Sequence, residues 1–158
     1  MKKKIGLVLL CLSILSSSVN VFASDANSKQ GDSSFSEWHT EAAIPTNKMQ
    51  SRAAGIVWGY GLTGTAGWIS GHNITATSSA KTNGTLKKID KMTTKLTFNF
   101  TGTATKSDSK SGSASSQSVY MYDGSGNTEI KSYVSKHTFQ HTGYVTTTKT
   151  ISKSPGTI

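Results

Sequence analysis

Leu96, Phe98 and Phe100 alternate with Thr97, Asn99 and Thr101 in the stretch Thr93–Thr103. A period of two belongs to a strand with one face buried and the other wet. Threonine and phenylalanine also suit a pleated, half-buried surface. We read this stretch as the central strand of the fold. No apolar stripe at helical spacing follows Pro45. A Leu/Phe face of this kind must then be covered by other strands rather than by helices.

The rest of the chain supplies those strands. Ala53–Leu62 is apolar and spaced with glycine, and Trp58, Tyr60 and Leu62 would share one strand face. Trp68–Ser78 reads as the next strand, entered through a turn at Gly64–Gly67. Asn83-Gly84 is a two-residue hairpin signal. Leu86–Met92 is a basic connector or short strand into the central strand. Thr105–Ser118, nearly all Lys, Ser, Asp, Gly and Ala, reads as a solvated loop. Gln117–Tyr122 and Thr128–Ser135 read as a hairpin around the turn Asp123–Asn127. Lys136–His141 and Tyr144–Ile151 read as a second hairpin. Six to eight short strands near ten residues apart predict an all-β fold, a single small antiparallel β-sandwich of immunoglobulin-like or similar type, ahead of a small barrel.

The N-terminus carries a different signal. Lys2-Lys3-Lys4 precedes the apolar run Ile5–Leu15, and Val21-Phe22-Ala23 resembles a cleavage site. This predicts a secretory signal peptide over 1–23; the run is too short to span a bilayer, so no transmembrane span is expected in the mature chain. Cys11, the one cysteine, lies inside that run and would leave with it. An exported, cysteine-free chain points to a Gram-positive bacterium and an extracellular location. Residues 24–50 are polar and read as a flexible arm, with a helical turn or two in Ser36–Ala43. The β domain is expected over 51–153 and a tail over 154–158.

Composition narrows the chemistry. Serine and threonine make up about 30% of the chain and charged residues only 16%. Without Lys2, Lys3 and Lys4 there remain 14 basic and 8 acidic residues, a net charge of +6. Four of the eight acids, Asp25, Asp32, Glu37 and Glu41, fall in the expected arm, which leaves few for paired-carboxylate catalysis. No Gly-x-Ser-x-Gly elbow occurs. His137 and His141 on one strand would stand roughly 13 Å apart, too far to share a metal. A hydrolase would need His72 or His137 gathered with Asp90 or Glu129. The sequence therefore predicts no enzyme, no cofactor and no metal site. Arg52 is the lone arginine, so specific nucleic-acid reading is not expected.

Two readings of function remain. The first is a secreted, non-enzymatic β-domain with a binding or structural role at the cell surface or in the extracellular matrix. Its lysines, with Lys87, Lys88 and Lys91 foremost, would meet an anionic wall polymer, lipid or matrix component. The second is a small cationic antibacterial protein or pore-forming toxin acting on membranes. In that reading Trp58, Tyr60, Trp68 and Ile69 form an exposed patch that inserts into lipid or self-associates. The plainer account of the same stretch is a strand whose glycines let neighbouring aromatics pack over it.

Overall fold

The computed structural model describes residues 33–47, 55–67, 71–124 and 130–155. The expected signal peptide lies outside the described residues. So do 24–32 and 48–50 of the expected arm, 156–158 of the expected tail, and Trp68, Ile69 and Glu129. Within them the chain is all-β: β1 (Ser33–Ala42), β2 (Ile56–Gly67), β3 (Gly71–Thr82), β4 (Thr85–Leu86), β5 (Ile89–Phe100), β6 (Thr105–Ala114), β7 (Ser116–Asp123), β8 (Ile130–Gln140) and β9 (Thr147–Lys153). Two antiparallel sheets pack face to face. The first runs β1-β2-β3, with β7 and the short β4 sharing the far edge of β3; the second runs β6-β5-β8-β9. The consecutive neighbours β1, β2 and β3 differ from the immunoglobulin arrangement, in which the second strand pairs with the fifth.

β5 is an interior strand of its sheet, flanked by β6 and β8. Its Leu96 and Phe98 are fully buried, as the alternation requires. Asn83 and Gly84 adopt φ of 51° and 78°, the paired positive values of a type I′ turn, and close the β3–β4 hairpin at Thr82 and Thr85. The β8–β9 hairpin also forms, with Phe139 opposite Thr147.

Several elements differ from the sequence reading. Residues 33–42, placed in the arm and partly in a helical turn, are the edge strand β1, paired along its whole length with β2. Its inward residues are Phe35, Glu37, His39 and Glu41, so the period of two is written largely in polar side chains. Thr105–Ala114 is a strand, not a loop. Its residues stay exposed on both faces until Ala114, and backbone pairing to β5 holds it. β2 continues through Gly64 to Gly67. β7 and β8 do not form a hairpin: β7 pairs with β3, and β8 with β5 in the other sheet.

The interior is divided into two apolar clusters. One holds Leu62, Ile74, Leu96, Phe98, Met121 and Tyr133 among others; the second centres on Ile56, Trp58, Ile89, Met92 and Phe139. Between them four strands place polar residues inward: Ser78 on β3, Thr94 on β5, Gln117 on β7, Ser135 and His137 on β8. Trp58 stacks on Phe139 with centroids 5.1 Å apart and planes 9° apart, and its ring is wholly enclosed. Its indole N–H has no hydrogen-bond partner among the described residues.

The two sheet edges meet at a seam. Lys153 of β9 binds Glu37 of β1 at 2.6 Å, and Lys149 binds Glu41 at 2.6 Å. Beyond β1, Val145 N–H donates to Ile44 C=O and Thr46 N–H to Gly143 C=O. At the opposite seam the Gln117 amide donates to Lys110 C=O, and Ala80 N–H donates to Ser115 C=O. Charges aimed inward from an edge strand are a known guard against edge-to-edge pairing.

Trp58→Ala should destabilise the fold by about 3–5 kcal/mol through the cavity it leaves. Trp58→Phe should cost clearly less, because it keeps the stack on Phe139 and removes an unpartnered N–H. Urea unfolding of the two variants beside the parent checks both outcomes.

Candidate binding surfaces

Each histidine is held by neighbours of its own. His137 is fully buried in the polar belt. Its Nδ1 lies 2.8 Å from Ser78 Oγ and its Nε2 2.9 Å from Ser135 Oγ; Ser78 Oγ lies 2.5 Å from Thr94 Oγ1, which accepts from the Gln117 amide at 3.0 Å. One direction of donation satisfies the whole chain. Gln117 donates to Thr94, Thr94 to Ser78, Ser78 to His137 Nδ1, and His137 Nε2–H to Ser135. That direction needs a neutral imidazole. Burial accordingly lowers the His137 pKa from 6.5 to about 4.

The other histidines sit nearer the surface. His72 on β3 is hydrogen-bonded to the Tyr133 hydroxyl; burial lowers its pKa, and burial likewise pushes the Tyr133 phenol up. His39 donates to Glu37 at 2.6 Å and stacks on Tyr60. Desolvation raises the Glu37 carboxyl, but hydrogen bonds and charge from Lys153 and His39 outweigh it, and its pKa falls below the usual value. His141 donates to Asp90 at 3.1 Å. The Thr142 hydroxyl and N–H also donate to Asp90, and with His141 they lower its pKa. Asp90 thus meets His141, not His72 or His137. The Ser78–His137 contact pairs a hydroxyl with an imidazole, but both are sealed from solvent and the imidazole's other nitrogen faces a serine rather than a carboxylate. Among the described residues no three His, Cys, Asp or Glu side chains are grouped to hold a metal ion.

The residues read as a membrane patch divide. Trp58 is in the core, and Tyr60 is half-buried between both clusters. The glycine spacing of β2 has a local cause. Gly59 and Gly61 face outward beneath the ring of Trp38 on β1. A Cβ at Gly59 would lie 2.7 Å from Trp38 Cζ2, and one at Gly61 would run into the same ring from the other side. Trp38 itself is 45% exposed, a placement not legible in the sequence because residue 38 lies in a segment whose alternation is mostly polar.

Three of the lysines share one sheet face. Lys87 and Lys88 are exposed in the link between β4 and β5, and Lys91 is exposed at the start of β5. Lys91 and Lys95 of β5 and Lys136 of β8 project from the outer face of the second sheet, where Lys95 and Lys136 are direct cross-strand partners. Their neighbours there are Thr93, Thr97, Thr138 and Thr150, with the serines of β6. Among the described residues no Asp or Glu stands beside Lys95 or Lys136: Asp90 is exposed at the bulge that opens β5, next to Lys91, where His141 and Thr142 hold it, and Asp108 of β6 pairs with Leu96 and lies on the other side. Like charges directly opposite each other weaken a sheet. Lysine 95 was visible in the sequence, but its pairing with Lys136 required the register.

No protein-family model matches this chain, and neither curated proteins nor solved structures gave a match.

The neutral His137 sets a pH dependence. Its pKa is lower folded than unfolded, so the unfolded chain takes up the proton first as pH falls. Stability should be full above pH 6.5 and decline between 6.5 and about 4. The loss should be on the order of 3 kcal/mol, with His72 adding in the same direction. His137→Gln should flatten most of that slope whatever its cost at neutral pH. Urea midpoints across this pH range measure it, and an unchanged slope in the variant would assign the dependence elsewhere.

Proposed function

We propose that this chain is a secreted, non-enzymatic β-domain that binds an anionic polymer at the bacterial surface or in the extracellular matrix through the outer face of the β6-β5-β8-β9 sheet. The observation that carries this reading is the Lys95–Lys136 cross-strand pair, beside which no carboxylate stands among the described residues. Among the described residues the cross-strand neighbours of this pair are serine and threonine, which do not offset the repulsion between the two ammonium groups, whereas a polyanion laid across the strands would. Lys91 extends the charge along β5, and Lys87 and Lys88 stand in the link just before that strand. Threonine and serine hydroxyls between them offer hydrogen bonds to phosphate or carboxylate oxygens. The expected leader over 1–23 supports export. Burial of Trp58 favours this reading over membrane insertion, because the patch that insertion needs loses its largest residue to the core.

Inorganic polyphosphate is a suitable probe. Binding should be saturable at low ionic strength and should weaken steeply toward about 0.5 M salt. The triple variant Lys91→Gln, Lys95→Gln, Lys136→Gln should bind roughly tenfold weaker or worse, and should unfold no earlier than the parent because it relieves repulsion. Equal binding by the triple variant would remove this face from the account. Dye leakage from anionic vesicles at the same protein concentrations would favour the membrane-active reading.

A further inference from the structure

The outer face of the other sheet has the opposite chemistry. Across β1, β2, β3 and β7 the outward positions hold Ser, Thr, Gly, Asn and aromatic residues, and the one charged residue, Lys81, stands at the far end beside Val57. Three aromatic side chains rise from this neutral floor. Trp38 is on β1 at one margin; Tyr120 and Tyr122 are on β7 at the other, at 56% and 48% exposure.

Two of the three rings rest on glycines. Trp38 lies across Gly59 and Gly61. Tyr122 lies across Gly71 and Gly124: a Cβ at Gly71 would be 3.2 Å from its Cε2, and one at Gly124 2.7 Å from its Cζ. A ring laid on bare backbone is tilted down toward the sheet and shows its other face to solvent. Tyr120 is pinned by its hydroxyl, which donates to Asn73 Oδ1 at 2.7 Å. The floor between the margins is formed by Thr63, Thr75 and Thr77, and the Thr77 and Ser118 hydroxyls bond to each other at 2.9 Å. The margins stand three strand spacings apart, roughly 14 Å.

The geometry points to a binding platform for a neutral, extended glycan chain, one of β-1,4-linked pyranoses. Such a chain is a flat ribbon. Its ring faces carry C–H groups that stack on aromatic faces, and its edges carry hydroxyls that exchange hydrogen bonds with threonine and serine. The match is one of charge as well as shape: the threonine floor between the margins carries no charged side chain, Lys81 stands at the far end, and at the β7 margin the Lys106 ammonium of β6 donates to Tyr122 C=O at 3.0 Å. A ribbon crossing the strands would stack on Trp38 at one end and on the tyrosines at the other, with the threonine floor beneath its middle. This site is separate from the lysine face, which looks out from the opposite side of the sandwich.

Titration of the protein with cellohexaose and chitohexaose, followed by tryptophan emission and acrylamide quenching, tests the assignment. Saturable binding of at least one hexamer is expected, unchanged at about 1 M salt because the ligand is neutral. Trp38 should be shielded from acrylamide, while buried Trp58 reports no change. The disaccharides should bind roughly tenfold weaker or worse, since they engage one margin only. Trp38→Ala should lose roughly tenfold in affinity. Tyr120→Ala should do the same from the other margin, and it keeps the test informative if Trp38→Ala folds poorly. Absence of saturation with both hexamers, full affinity in both variants, or binding abolished by salt would overturn the assignment. So would a concentration-dependent dimer lost in Trp38→Ala, which would give the face to a second copy of the chain.

Discussion

The sandwich depends on the line of hydrogen bonds that runs from Gln117 through Thr94, Ser78 and His137 to Ser135. Apolar contacts alone are tolerant of sliding, because a Leu or Ile two residues along a strand meets much the same neighbours. A buried hydroxyl is not tolerant: moved one step, it faces methyl groups and loses its partner in a place water cannot reach. Four strands from two sheets contribute to this line, so it fixes both the register within each sheet and the height of one sheet on the other. It also explains why the interior is two clusters rather than one, with Tyr60 touching both. The energetic gain of such a belt over an apolar filling is small or negative; what it supplies is a single arrangement.

Much of this was legible wherever a side chain's surroundings are set by its near neighbours in sequence. The Leu96–Phe98 alternation marks an interior strand, and Asn83-Gly84 marks a hairpin, because both signals are local. β1 was hidden for a physical reason. Its inward side chains are Glu37, His39 and Glu41, whose partners Lys149 and Lys153 lie more than a hundred residues away, so the pattern reads as polar throughout. β6 was hidden for the converse reason: it faces solvent on both sides, and the ladder to β5 leaves no trace in composition. The exchange of β7 and β8 between sheets was hidden because two strands joined by a turn look the same whether they pair with each other or diverge. The lysine face and the aromatic platform were out of reach for the same cause. Lys95 and Lys136, or Trp38 and Gly61, become neighbours only through register.

The two outer faces divide the chemistry of the molecule. One is threonine, serine and lysine, with Asp90 at its border; the other is threonine, serine and aromatic rings almost without charge. Since the buried belt holds the sheets in one relation, these faces are fixed back to back. Neither shares side chains with the other, so a change on one leaves the opposite surface as it was.

β6 shows what it means for a strand to bury almost nothing. The fold asks of its ten residues only that they remain extended and keep their amides aligned with β5. Serine, threonine, lysine or asparagine would serve at nearly every position, since no side chain there fills a particular volume. The segment is therefore where sequence drift is least costly to the architecture. A lineage of this protein can rewrite its charge along that border while the interior, and the line of hydrogen bonds through it, stays under the strictest control.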